Sequence, residues 1–230
     1  MRILLLLTLL FITTLSFSQD CESYYPFKEN TELHYDVFNG KGKSEGSSIQ
    51  KISDIKTIDG GFVATVNFET TDKKGKKTST GDFEIQCKNN VFSMDVESML
   101  PPEMSSMFEG QKAEMTVEGD GFSMAENPKV GQTFPDTENT VSFKMGVMNM
   151  NLKINYSEHK VEAKESITTE AGTFDCFRIS YVADFKMSIS KSKIKVVNWY
   201  TNGIGVVKSE SYNGKNGKLT SSTILTKVVQ

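Results

Sequence analysis

The sequence predicts an all-β protein. Its expected form is a single domain of about eleven to twelve antiparallel strands in a curved, partly closed, barrel-like sheet with one short helix. Three observations carry this. Apolar and polar residues alternate in one short segment after another, the period of half-buried strands. Turn-forming clusters separate these segments at roughly ten-residue intervals. Helical spacing in a helix-like context occurs at one place. A two-sheet β-sandwich is the alternative packing of the same strands.

Each element follows from its residues. "TELHYDVF" (31–38) sets Leu33, Tyr35 and Val37 against Glu32, His34 and Asp36. "NGKG" (39–42) turns the chain into "SSIQKISDIKTI" (47–58), where Ile49, Ile52, Ile55 and Ile58 recur every three residues. That spacing alone suits a helix, but the β-branched content and the "DGG" turn favour a strand with a bulge that switches faces. "GFVATVNFETT" (61–71), the turn "DKKGKK" (72–77) and the return "TSTGDFEIQC" make a hairpin, and "KNN" leads into "VFSMDV". "ESMLPPEMSSMFEG" (97–110) carries the helix: Pro101 and Pro102 suit its start, and Met104, Met107 and Phe108 share one face. "KAEMTVEG" (112–119) returns to strand, and "NPKVGQTFPDTEN" (127–139) is a loop. The spacing predicts a long hairpin from 140–158 and 160–169, then strands over 172–185, 193–201, 203–213 and 218–229. "NGKNGK" (213–218) is the strongest turn signal in the chain.

The first residues read as a secretory signal. Arg2 precedes the apolar run "ILLLLTLLF", and small residues at Ser16 and Ser18 place cleavage after Ser18. The run is short of the roughly 20 residues that span a bilayer. The expected domains are therefore a signal peptide over 1–18 and one β domain over 19–230. The mature chain expects no transmembrane segment and is exported, to the periplasm, the outer envelope or the exterior. Removing Arg2 leaves 25 basic against 29 acidic residues, an acidic balance that argues against nucleic-acid binding. Export permits one disulfide. Cys21 sits where an untied terminus frays, and Cys87 ends a strand, so Cys21–Cys87 is the expected bond, with Cys176 a buried thiol. A loop of that size stabilises by roughly 4 kcal/mol in the chain-entropy model.

Catalytic signatures are missing. The chain lacks G-x-S-x-G, H-E-x-x-H, a P-loop, G-x-G-x-x-G and C-x-x-C. Its two histidines, His34 and His159, sit among charged residues and read as surface side chains. No catalytic residue, metal or cofactor is expected. The methionines stand out instead: nine of them fall between Met94 and Met150. Clustered thioethers can bind Cu(I). Strand alternation through 140–158, however, puts Met148 and Met150 on one face with Leu152 and Ile154, and Met145 with Phe143 on the other. Core packing is one reading of what remains. The other is an adaptable apolar groove lined by Met104, Met107, Phe108, Met148, Met150 and Leu152.

The segment "KVEAKESITTEAGTFDCFRISY" (160–181) resembles a signature of exported bacterial proteins of the TapB-like group, close to domain of unknown function family 3108. Those proteins often read V-P-A-G-T-F-[DE]-C-[FY]-[KR]-I, and this chain has Glu170 in place of the proline. "YYPFKENTELHY" (24–35), "LPPE" (100–103), "VGQTFPD" (130–136) and "WYTNGIGVVKSESYNGKNGKL" (199–219) fit the same pattern in order. The resemblance implies export and a β fold, and supplies no catalytic residue. Ala171, Gly172, Thr173 and Phe174 read as a structural turn, with glycine tolerating a positive φ and Phe174 seating in the core.

The expected function is non-enzymatic. A lipid or other apolar ligand, or a protein of the cell envelope, binds the concave face of the sheet. The alternative is a structural or interaction module without a small ligand, with an envelope hydrolase third.

Overall fold

The computed structural model describes residues 25–94, 113–119, 121–125, 128–145, 148–187 and 190–230. The chain enters β1 (Glu32–Asn39) and winds through β2 (Ser44–Ile58), β3 (Gly61–Asp72), β4 (Lys77–Lys88) and β5 (Val91–Met94). Two short strands follow, β6 (Ala113–Glu118) and β7 (Phe122–Ala125). Then come β8 (Thr137–Met145), β9 (Met148–Thr169), β10 (Gly172–Met187), β11 (Ser190–Thr201), β12 (Gly205–Asn213) and β13 (Leu219–Val229). All thirteen lie in one antiparallel sheet of order β6-β8-β9-β10-β11-β12-β13-β1-β2-β3-β4-β5-β7. One sheet excludes the sandwich. The described residues contain no helix, and the helix expected over 101–109 lies outside them.

The sheet curls until its two ends meet without pairing. Gly121, leading into β7, donates its N–H to Asn139 Oδ1 on β8 at 2.9 Å. Thr137 Oγ1 donates to the Gly121 carbonyl at 3.2 Å. Side chains thus span the seam where a closed barrel would have a backbone ladder. Inside, Leu33, Ile52, Val66, Ile85, Phe92, Met124, Val161, Ile179 and Leu225 form the main core, drawn from strands around the whole ring. Each such fully buried side chain stabilises by ~1.5–3 kcal/mol. A second cluster packs Val141 and Phe143 of β8 on Leu152, Ile154 and Tyr156 of β9 and Ala183 of β10.

Local sequence explains the turns. At β1–β2, Asn39 Oδ1 accepts the N–H of Lys41 and of Lys43, at 3.0 and 3.1 Å, and Gly42 takes φ 72°. At β3–β4, Asp72 Oδ1 accepts from Lys74 and Lys76, at 2.8 and 3.0 Å, and Gly75 takes φ 76°. Asn213 repeats the device at β12–β13. An Asx side chain followed by a glycine free to adopt positive φ makes each reversal. The predicted bulge in β2 falls at Ser53. Ile52 pairs with Val66 and Ile55 with Ala64, so two isoleucines three apart face the same core.

Two expectations are corrected. The hairpin expected to reverse at 159 instead pairs β8 with β9 from Met145 and Met148 outward, and β9 runs unbroken from 148 to 169. Glu158 takes φ 54° there and absorbs an extra residue as a bulge, while β10 stays paired on both sides of it. In the β8–β9 register Phe143 pairs with Met150 and Met145 with Met148. Phe143 and Met150 therefore share a face, against the two-face split that alternation along one strand predicts.

Candidate functional site

Two clefts open beside a buried polar line that crosses the barrel. The line begins at Tyr25, whose hydroxyl donates to Gln50 Oε1 on β2 and whose ring stacks on Phe92, centroids 6.1 Å apart. Tyr35 of β1 lies beside it. Burial first, and then the fields of Tyr25 and Tyr200, push the Tyr35 hydroxyl well above the usual range. Asn198 Nδ2 donates to the Tyr200 hydroxyl at 2.9 Å. Desolvation carries the Tyr181 hydroxyl up to about 12, although the Asn198 amide lowers its value. Tyr181 then meets His159 edge-on, centroids 5.6 Å apart.

The first cleft is a mouth on the inner face, of about 320 Å³. The register builds it. Asn198 of β11 pairs with Ser209 of β12, Ser209 with Thr223 of β13, and Thr223 with Val37 of β1. Cross-strand partners point to one face, so this row lines one wall. Tyr25, Tyr35, Ser48, Gln50 and Val206 complete the lining. Every lining side chain is uncharged. Asn198 is 6% exposed, and its Oδ1 has no hydrogen-bond partner. Turning the amide over only exchanges which end is unpaired. A buried, unpaired polar atom costs about 1–3 kcal/mol, so a group that reaches it is stabilised accordingly.

The second cleft, of about 540 Å³, lies where the 128–136 loop meets β9 and β10. Gly131 N donates to the Val161 carbonyl, Val161 N to Gln132 and Phe134 N to His159, so "VGQTFPD" adds a short antiparallel rung to β9. Thr133, Phe134, Asp136, Glu158, His159, Lys160, Glu162, Ser180, Tyr181, Val182 and Lys195 line it. His159 corrects the sequence reading. It is 4% exposed, with Phe134, Phe122 and Tyr181 around it at 4.6, 4.9 and 5.6 Å. Its Nε2 lacks a partner, and burial pulls the imidazole down to about 4. Sequence missed it because the neighbours Glu158 and Lys160 are polar; the aromatic surroundings come from Phe122, Phe134 and Tyr181, distant in the chain. His34 is half-buried and bonds Glu32 Oε2 at 3.3 Å.

Of the expected groove, Met104, Met107 and Phe108 lie outside the described residues. Met150 and Leu152 share the second core cluster, Leu152 at 4% exposure. The backbone of Met148 is described and its side chain is not. The two clefts are lined by other residues. Cys87 is fully buried on β4, Cys176 is a buried free thiol, and Cys21 lies outside the described residues. Burial, with Asp175 and Glu165 adding, pushes Cys176 up to about 12. At the turn motif, Thr169 pairs with Gly172 across Glu170–Ala171, and Gly172 takes φ 138°. Thr173 Oγ1 and Thr168 Oγ1 are hydrogen-bonded at 3.0 Å, and Phe174 packs half-buried on the main core.

Among the described residues no group of three or more His, Cys, Asp or Glu side chains is arranged to hold a metal, and no helix is long and apolar enough to cross a membrane.

Two crystal structures share this fold. A Bacteroides fragilis protein described as exported, with a YmcC-like fold, is 20% identical, with a TM-score of 0.69. The match covers 90% of this chain and 98% of that one. A Parabacteroides distasonis protein described as a lipoprotein is 23% identical, with a TM-score of 0.70, over 91% of this chain and 100% of that one. None of the curated proteins matches the sequence. The DUF3108-like family model matches residues 28–225, the span from the turn before β1 into β13, and the chain belongs to the DUF3108-like family.

Proposed function

We propose that this protein is exported to the bacterial cell envelope and there binds an uncharged amphipathic ligand, without chemistry, in the mouth of its barrel. The observation that carries this is Asn198: a buried amide with an unpaired Oδ1 beside a cavity of about 320 Å³ whose lining is wholly uncharged. A charged group placed there without a partner would cost several kcal/mol, which selects against ions. The Tyr25 and Tyr35 rings with Val37 and Val206 offer apolar contact; Ser48, Gln50, Ser209 and Thr223 offer hydrogen bonds. A neutral polar head carrying an N–H or O–H on an apolar body matches both. Export is supported by the signal-like first 18 residues and by the descriptions of the two structural neighbours. The Cys21–Cys87 bond belongs to the same reading, since it forms in an oxidising compartment.

Native mass spectrometry of the full chain expressed in a bacterial host and recovered from the envelope tests the proposal. The expected result is a co-purifying neutral lipid or glycoside, lost in Asn198→Leu. A clean apo mass for the wild-type protein, or an anionic lipid retained equally by Asn198→Leu, overturns it.

A further inference from the structure

The cleft at His159 differs in chemistry from the mouth. Its floor is aromatic: Phe134, Tyr181 and the imidazole of His159, with Phe122 behind them. Its rim is charged, and the charges are unequally engaged. Glu162 is held by Ser180 Oγ at 2.8 Å and by Lys160 at 3.9 Å. Asp136 and Glu158 lie in no ion pair or side-chain hydrogen bond among the described residues. Lys195 is a third unengaged charge, of opposite sign.

Glu158 is also the residue whose backbone is strained. It holds φ 54°, a conformation that costs a residue with a side chain free energy unless something over-determines it. The bulge there throws the Glu158 carboxylate to the exposed rim and turns His159 inward. Strain, an unpaired buried nitrogen and two unpaired carboxylates thus coincide at one opening. The bulge accounts for the strain, and it leaves the buried nitrogen and the two exposed carboxylates facing one opening without partners.

From this geometry we infer a second binding site, for a small ammonium-bearing ligand whose cationic head rests on the Phe134–Tyr181 floor between Asp136 and Glu158. Aromatic faces attract a desolvated cation through their quadrupoles, and a flanking carboxylate supplies the charge match. The His159 ring does not oppose this, since burial keeps it neutral at pH 7. An anionic group on the same molecule falls to Lys195. The site takes the ammonium whether it comes as a free amine or on a lipid headgroup. It stands independently of the mouth, whose lining shares none of these residues.

The test is an NMR titration of the isotope-labelled full chain at pH 7, using tetramethylammonium chloride and ethanolamine as probes. Sodium acetate at equal ionic strength is the control. Saturable shifts should be confined to residues 133–136, 158–160 and 180–182, with the His159 ring signals among them. The isosteric double variant Asp136→Asn/Glu158→Gln should bind both probes at least about tenfold more weakly. Phe134→Leu should weaken tetramethylammonium by several-fold and ethanolamine less. Vesicles of phosphatidylethanolamine against phosphatidylglycerol separate the sources. Free ethanolamine binding assigns a soluble amine, and selective binding of phosphatidylethanolamine vesicles alone assigns a headgroup. No saturable shift with any ammonium probe or vesicle, equal shifts with acetate, or undiminished binding by a folded double variant overturns the inference.

Discussion

Asn139 Oδ1 accepts the backbone N–H of Gly121 at 2.9 Å, and that bond joins the two ends of a thirteen-stranded sheet. Asn139 is fully buried, and its Nδ2 reaches the Ile154 carbonyl at 3.4 Å. Its replacement by alanine leaves the buried Gly121 N–H unpaired. Asn139→Ala should therefore destabilise by about 1–3 kcal/mol, the cost of one orphaned group. Urea unfolding checks this; a midpoint equal to wild type would show that the seam contributes nothing.

The imidazole of His159 sets a pH dependence. Its folded value is lowered to about 4 from 6.5 because burial disfavours the cation. Below pH 6.5 the unfolded chain takes up the proton first. The stability is thus fully present above pH 6.5 and drains away as pH falls toward 4, by about 3 kcal/mol from this residue. The His159 imidazole resonances should titrate with a midpoint near 4; a midpoint of 6 or above would remove the argument.

These two residues show what the sequence could and could not tell. The hairpins were legible, because Asn39, Asp72 and Asn213 each sit a few residues before a glycine that takes positive φ. Local chemistry decides such turns. The bulge in β2 was legible too, from isoleucines spaced by three. The pairing of β8 with β9 was not: "MGVMNM" offers no Asx–Gly pair, and Glu158–His159 looked no less turn-like. The environment of His159 and the joint at Asn139 depend on residues far apart in the chain, so no window of sequence holds them. β7, four residues long, was too short to show a period.

Two glycines separate backbone strain from steric clash. A Cβ on Gly172 would meet only the Phe174 ring, at 3.6 Å, an ordinary contact. Gly172→Ala should thus cost about 1–3 kcal/mol through φ 138° alone. A Cβ on Gly46 would lie 1.8 Å from the Thr71 carbonyl oxygen, inside the β2–β3 ladder. Gly46→Ala should lower the thermal midpoint further than Gly172→Ala. The reverse order would contradict the clash.

The thiols of the proposed Cys21–Cys87 bond give a fourth measurement. With Cys21–Cys87 bonded, the denatured, unreduced protein exposes one reactive thiol, and reduction raises this to three. In the native state Cys176 should resist alkylation at pH 8, since burial keeps it protonated well past that pH. Three reactive thiols before reduction would exclude the bond.

The pairing of β1 with β13 has a consequence for how the chain comes into being. Glu32 lies opposite Val229, so the first strand waits for the last. From β1 the polypeptide walks outward to one side of the seam, crosses it three times by way of β6 and β7, and comes home from the other side. The sheet cannot be completed until β13 has been made. Until then both β1 and its unmet partner edge are exposed, and all-β chains with such distant pairings fold in about milliseconds to seconds. The chain's own connectivity thus holds back the folded state until β13 is available to pair.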